Sequence, residues 1–416
     1  MATILFLCDA MRSDYITKEN TPFLWKCANE GEYYKKVIPN FGFCERTEIF
    51  TGQTPRESDF FTAIGYDPTH SPFKNVKGLK LIEYLERIVP KKLGIPFVAS
   101  STGIFYKIFR LFVNKWIINE TNGIGGQNIP IPLLKYWGLT EDKIDLRDGN
   151  AFNVPSIFSL LSENGKTYFY DSFTALNMPS NGSDLNRMQM VVDDIKANNE
   201  DFYLVYVSGP DYYGHKYGPD AAEFKDVLKQ IDLDLKTYTN KILEIDPKAN
   251  FIYLGDHGMA TVNQYFDAEK EILSIAKNNY LELEKDFIYF LDSTLVRLWF
   301  FTEGAKNIFE QALYNSPTFN NNGVFINEDI ANKEKIPWGD SRYGDIIWWA
   351  NTGVLVFPDF FHRVEKYKGM HGYDPSKKEN QGTCIVYGGN IDQSEIDSIY
   401  LTDVFDIMKN LLIKDK

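Results

Sequence analysis

The stretch Phe202-Tyr-Leu-Val-Tyr-Val-Ser208, followed at once by Gly209-Pro-Asp211-Tyr-Tyr-Gly-His215, decides how this chain folds. A short apolar run that halts at Gly-Pro and gives way to Asp and His reads as a buried strand with polar groups at its C-terminal end. The same pattern occurs twice more. Ile4–Cys8 stops at Asp9, and Phe251–Leu254 stops before Gly255-Asp256-His257. Between the latter two lies Ala221–Ile245, with Val227, Leu228, Ile231, Leu235, Tyr238 and Ile242 at helical spacing. Strands alternating with helices predict an α/β fold with a mostly parallel sheet flanked by helices. In such sheets ligands sit outside the carboxyl ends of the strands. Three strands ending in Asp or Asp-His at that edge form the first functional signal.

Working outward, the 416 residues read as one catalytic domain, 1–416, with two cap-like insertions at 72–150 and 265–365. The first mixes aromatic helical patterns with Gly/Pro punctuation, as in Gly123–Gly126 and Ile129-Pro-Ile-Pro132. The second holds strand-like runs at Val296–Phe301 and Gly353–Phe357. A hydrophobic fraction of 44% against 24% charged residues excludes a disordered chain. The formal net charge of −13 argues against dedicated nucleic-acid binding. Aromatics reach 15%, which predicts an aromatic-lined cleft. Four cysteines without a CxxC pair fit a reducing compartment. The first apolar run is too short for a signal peptide, and no stretch reaches the ~18 apolar residues of a membrane span. We therefore expect a cytoplasmic protein. Ile104–Ile118 is amphipathic and basic, a pattern that membrane-surface contact would also produce. A cap helix with its aromatics turned inward is the preferred reading.

The chemistry-bearing residues are Asp9, Asp211, His215, Asp256, His257 and His371, the last within Gly369-Met-His-Gly-Tyr-Asp374. Only five histidines exist, and three of them lie in Gly-flanked, Asp-rich loops after strands. A lone Asp after a strand is commonly a turn or helix cap. Six such residues in this order instead point to nitrogen and oxygen ligands for two divalent metal ions, Zn²⁺ first and Mn²⁺ second. Two ions ~4 Å apart can clamp the attacking and leaving oxygens of a phosphoryl group.

These segments, with Phe6–Asp9, Thr51–Pro55, Gly209–Pro219 and Gly255–Met259, resemble the nucleotide pyrophosphatase/phosphodiesterase branch of the alkaline-phosphatase superfamily. The resemblance implies an alkaline-phosphatase-like core. It implies one zinc held by Asp211, His215 and His371, and a second held by Asp9, Asp256 and His257. The superfamily nucleophile is a Thr, Ser or modified Cys lying nine residues before the Thr of a Thr-Gly pair. Here that pair is Thr51-Gly52, and the slot is Gly42. The candidates are then Cys44, favoured by placement at a helix N-terminus where a thiolate is stabilised, Thr47, or a metal-bound hydroxide. Glu45 and Arg46 could meet a metal or phosphate, although a solvated helix surface is their default. The sulfatase cysteine signature is not reproduced.

The reading that follows is a metal-dependent hydrolase of phosphate esters, most plausibly a phosphodiesterase or nucleotide pyrophosphatase. Its substrate would be a nucleotide- or lipid-like phosphate ester. The alternatives are a phosphomutase-like phosphotransferase of the same superfamily, or a metal-containing binding protein that has lost its nucleophile. Oligomeric state has no sequence signal here.

Overall fold

The structure, a computed structural model, describes residues 1–92, 103–121, 127–141, 145–170, 183–389 and 391–413. Its central sheet has seven strands. In chain order they are β1 (Thr3–Cys8), β2 (Glu32–Ile38), β3 (Tyr168–Tyr170), β4 (Phe202–Val207), β5 (Asn250–Gly255), β6 (Gly382–Gly388) and β7 (Ser394–Tyr400). The spatial order is β7-β2-β6-β5-β1-β4-β3. Every residue of β1, β4 and β5 is buried, which is why each reads as an unbroken apolar run. All neighbouring pairs are parallel except those of β6, which runs antiparallel to both β2 and β5.

Register decides what this sheet can do. Cys8 pairs with Val207 and Leu7 with Leu254, so the carboxyl ends of β4, β1 and β5 are flush. The next residues, Asp9, Ser208 and Asp256, emerge on one edge. Because β6 is reversed, its first residues lie at that same edge, with Thr383 paired to Gly255. The segment 369–381 is thereby delivered to the ends of the parallel strands. The crossing is backbone on backbone: a Cβ on Gly255 would strike the Met11 carbonyl, and one on Gly382 would strike the Gly255 carbonyl.

Helices cover both faces. The predicted long helix forms as Ala222–Ile245 and buries Phe224, Leu228, Ile231, Leu235 and Ile242 against Ile4, Phe6, Tyr203 and Val205. On the other face Ile49 and Phe50 of helix Glu45–Thr51 join Leu5, Leu7, Leu204, Ile252 and Leu254. Each such fully buried aliphatic side chain contributes roughly 1.5–3 kcal/mol of transfer free energy.

Residues of 72–150 and 265–365 meet in a second core. Strands Phe287–Leu291, Leu295–Phe300, Ile346–Ala350 and Gly323–Phe325 form an antiparallel sheet. Ile64–Tyr66 pairs with Trp137–Leu139 beside it, and Trp137 lies 5.0 Å from both Phe290 and Trp299. This core, with Trp348 fully buried, accounts for much of the aromatic content; the cleft takes only Phe43, Tyr206, Tyr212 and Phe361. Helix Ile104–Thr121 turns Tyr106 and Phe109 into the same core and leaves Leu111 and Phe112 exposed. Gly123–Gly126 lie outside the described residues. Among the described residues no helix is long and apolar enough to cross a membrane. None of the four cysteines forms a disulfide.

Candidate metal centre and active-site cleft

Asp9 leaves β1 through a sharp turn. Ala10 takes φ +60°, a left-handed value costly for a residue with a Cβ, and its N–H donates to Asp256 Oδ1 at 3.2 Å. The same oxygen accepts the His257 N–H at 3.1 Å, so the ends of β1 and β5 are tied through one carboxylate. Asp211 and His215 lie four residues apart on helix Gly209–Tyr217 and therefore share a face. His371 follows a two-residue ladder in which Gly369 and Met370 pair with Thr261 and Ala260, just beyond His257. Four separate elements thus converge on one point.

The six residues form two groups, Asp211/His215/His371 and Asp9/Asp256/His257, each with ligand atoms within 4.8 Å of one another. Their hydrogen bonds show what the groups are built to hold. His215 Nδ1 lies 2.9 Å from the Gly369 carbonyl and His257 Nδ1 lies 2.9 Å from the Gly258 carbonyl. A carbonyl only accepts, so each Nδ1 carries the proton and each Nε2 presents a lone pair. Those lone pairs face carboxylate oxygens: His257 Nε2 is 3.0 Å from Asp9 Oδ1, and His215 Nε2 is 3.2 Å from Asp211 Oδ1. Both oxygens are buried without a hydrogen bond, as is His371 Nδ1. With neutral imidazoles acceptor faces acceptor out of reach of water, and a divalent cation between them satisfies both. The donor set fits divalent metal.

Without metal, protons satisfy the same opposition. Burial, reinforced by Asp256 and Asp211, lifts Asp9 to about 7. Burial also raises Glu45, to about 8, against the pull of His257. For His257 burial is outweighed by Asp256 and Asp9, and the ring is held well above its ordinary value. Burial and the neighbouring His257 charge push His371 well down. Tyr206 donates its phenol proton to Asp9 Oδ2; burial and the Asp9 charge keep that phenol protonated.

The groups open into a cleft of about 270 Å³ walled by Phe43, Glu45, Arg46, Tyr212, Ser293 and His362 among others. Glu45 and Arg46 are not on a solvated surface. Arg46 is buried and paired to Glu141 at 2.8 Å, while a Glu45 oxygen lies within 4.8 Å of both a His257 and a His371 nitrogen. The expected nucleophiles are placed elsewhere. Cys44 is the N-cap of helix Glu45–Thr51, as its favoured reading requires. Yet it is not among the described residues lining the cleft, and its thiol acts electrostatically on Arg297 and Tyr343 behind it. Thr47 is fully buried, and its hydroxyl donates to Glu141 Oε1 at 2.5 Å rather than to the Phe43 carbonyl. The structure does not bring either to the metal ligands. Gly42 adopts φ +139°, and a Cβ there would run into the Phe61 carbonyl, so the family slot has no room for a side chain.

The cleft hydroxyls are largely committed as well. Tyr206 serves Asp9, Ser208 donates to Asp184 at 2.8 Å, and Ser293 donates to the fully buried Asp359 at 2.8 Å. Asp359 also orients His362, whose Nδ1 lies 3.3 Å from it. His362 and Phe361 sit where the cleft meets a larger cavity of about 950 Å³ lined by parts of both insertions. Sequence reading passed over Tyr206, Ser293, Asp359 and His362. Asp359-x-x-His362 was the one available local cue, and it carries no metal-motif spacing.

A mostly parallel α/β sheet with two Asp/His triplets at the carboxyl edge defines a protein of the alkaline-phosphatase superfamily. More narrowly, residues 3–374 match the type I phosphodiesterase / nucleotide pyrophosphatase family, and the chain belongs to it. It is 42% identical over 219 residues to ectonucleotide pyrophosphatase/phosphodiesterase family member 7 of Rattus norvegicus, covering 51% of this chain and 48% of that one. It is 24% identical over 232 residues to the venom phosphodiesterase CdcPDE of Crotalus durissus collilineatus, covering 52% and 26%. The chain thus matches half or less of the length of these relatives. In fold it is similar to murine ectonucleotide pyrophosphatase / phosphodiesterase 5, solved as an inactive variant with AMP, at a TM-score of 0.67 and 16% identity, covering 99% of this chain and 95% of that one.

Proposed function

We propose that this protein is a two-metal phosphodiesterase or nucleotide pyrophosphatase, with Zn²⁺ as the resident ion. The observation that carries the reading is the opposition of buried imidazole lone pairs and buried carboxylate oxygens in two adjacent groups. Asp211, His215 and His371 would hold one ion, and Asp9, Asp256 and His257 the other. Divalent ions there would neutralise the non-bridging oxygens of a phosphate ester and stabilise the charge on attacking and leaving oxygens.

The chain's own residues set the rest of the chemistry. Tyr206 fixes one Asp9 oxygen so that the other faces the metal position. The Gly369 and Gly258 carbonyls lock the two imidazole tautomers. The cleft of about 270 Å³ beside the candidate ligands opens into a cavity of about 950 Å³, which has space for a large second substituent. That division favours diesters and pyrophosphates over simple monoesters. The structural relative binds AMP, which supports a nucleotide-like substituent here. Elemental analysis followed by a chromogenic panel tests the reading. Purified protein should carry stoichiometric transition metal and turn over p-nitrophenyl nucleotide or bis-p-nitrophenyl diesters faster than p-nitrophenyl phosphate. No turnover of any diester with Zn²⁺ or Mn²⁺ restored would leave the metal-containing binding protein as the better account. A preference for phosphate transfer between two hydroxyls of one substrate would select the phosphomutase-like alternative.

A further inference from the structure

Glu45 is the residue of the nucleophile loop that reaches the centre. It is the first residue of helix Glu45–Thr51 and lines the cleft, whereas Gly42 has no side chain and Thr47 is held by Glu141. Its carboxylate does not sit against one group alone. Its ligand oxygen lies within 4.8 Å of nitrogens of His371, from the first group, and of His257, from the second. Those two imidazoles stack 4.0 Å apart at 13°, so a carboxylate reaching both nitrogens stands across the boundary between the groups. The same boundary is flanked by the two buried carboxylate oxygens, Asp9 Oδ1 and Asp211 Oδ1, that have no hydrogen-bond partner.

We propose that Glu45 is a seventh metal ligand, shared by the two groups, and that through it this helix supplies a ligand where other members of the superfamily supply a nucleophile. The inference rests on the metal-centre reading above. A shared carboxylate has two oxygens and can serve two cations at once, which a hydroxyl or thiol also does when it bridges. With both ions bound, Glu45 would offer its carboxylate to each of them from the helix side. Attack then comes from water. The water oxygen forms the new P–O bond, and the ester P–O bond breaks with its electron pair leaving on the alcohol oxygen. One water proton ends on that oxygen, and the other stays on the product phosphate until solvent removes it. One in-line displacement inverts phosphorus, whereas a chain nucleophile needs two displacements and retains configuration.

The test has one arm that needs no turnover. Apo-protein is titrated with Zn²⁺, and separately with Co²⁺ for its ligand-field spectrum, in wild type, Glu45→Gln and His257→Ala. A shared ligand predicts that Glu45→Gln weakens both binding steps by about tenfold or more and alters the Co²⁺ spectrum of both equivalents. His257→Ala should abolish one step and leave the other. Two steps of wild-type affinity with an unchanged spectrum in Glu45→Gln would overturn the proposal. If Glu45→Gln does not fold, Glu45→Asp, whose carboxylate is drawn back by one methylene, is titrated in its place. The second arm uses the wild type alone: a phosphorothioate diester of known configuration is hydrolysed in isotopically labelled water, with methanol as a competing acceptor. Inversion with no methyl ester supports the proposal. Retention, or methyl ester beyond its share of solvent, would overturn it and restore a chain nucleophile. Absence of any diester turnover would count against the proposed function, while the metal titration still decides the role of Glu45.

Discussion

Thr47 Oγ1 and Glu141 Oε1 lie 2.5 Å apart, in a contact between residues separated by 94 positions. The same carboxylate oxygen accepts the Thr47 N–H at 2.7 Å, and Oε2 accepts Arg46 Nη2 at 2.8 Å. A buried acid from the 72–150 segment thus caps the helix on which the family resemblance places the nucleophile. It neutralises the one arginine in the cleft wall and withdraws a candidate hydroxyl. Carboxylates are favoured at such helix N-termini by the orphan N–H groups there.

Removing that acid should be costly. Glu141→Ala takes a buried carboxylate from Arg46 and from the Thr47 N–H and hydroxyl at once, a loss of roughly 3 kcal/mol or more. Glu141→Gln keeps an acceptor for Thr47 and should lose less, about 1–3 kcal/mol. Urea unfolding of the two variants checks the order, and a negligible change in Glu141→Ala would contradict the capping role.

Refilling the family slot should not create a nucleophile. Gly42→Thr forces a side chain into the Phe61 carbonyl from a backbone φ of +139°. We expect a loss of about 1–3 kcal/mol in stability and no gain in diester turnover. A Gly42→Thr enzyme that folds as well as wild type and turns over faster would show that the loop repacks.

Single-ligand variants should separate metal binding from folding. His257→Ala and Asp211→Ala each empty one group while leaving the sheet intact, because the ligands stand on residues beyond the strand ends. Turnover should fall by at least about a hundredfold, the scale of losing one strong electrostatic stabiliser. Circular dichroism should stay native. Near-wild-type turnover in either variant would exclude that residue as a ligand.

The metal-free protein should lose stability as pH rises. Asp292 is raised by burial to about 6, Asp9 to about 7, and Glu45 and Glu48 to about 8. Their ordinary values are 3.8 for Asp and 4.5 for Glu. Above those values the unfolded chain has released protons that the folded chain still holds, so stability declines with pH up to about 8. His257, also raised, acts in the same direction, and His371, lowered, opposes it only near and below its ordinary 6.5. With chelator present, the melting temperature at pH 8.5 should lie below that at pH 5.5. Saturating Zn²⁺ should reverse much of the difference, because bound metal takes the place of the protons. A chelated protein more stable at pH 8.5 would refute the assignment.

The sequence by itself determined the sheet and the candidate ligands at its edge. β1, β4 and β5 are buried on both faces, so each reads as an apolar run that stops near a polar residue, Asp9, Ser208 or Asp256, with Asp211 following Ser208 in the first turn of the next helix. Local grammar and edge position coincide there because flush parallel strands leave no freedom in where the next residue goes. The tertiary structure decided the rest. Glu141 lies 94 positions from Thr47, and Asp359 lies 66 from Ser293; nothing in either neighbourhood announces its partner. Whether Cys44 or Glu45 looks into the cleft turned on a long-range contact too, the Phe43 N–H to Phe61 carbonyl bond that pins the loop with Phe43 over His371. Adjacent residues at a helix start point in different directions, so one backbone hydrogen bond from outside the helix selects which side chain faces the two Asp/His groups. A linear sequence states which groups are available. Only the packed chain fixes which of two neighbours is turned toward the chemistry.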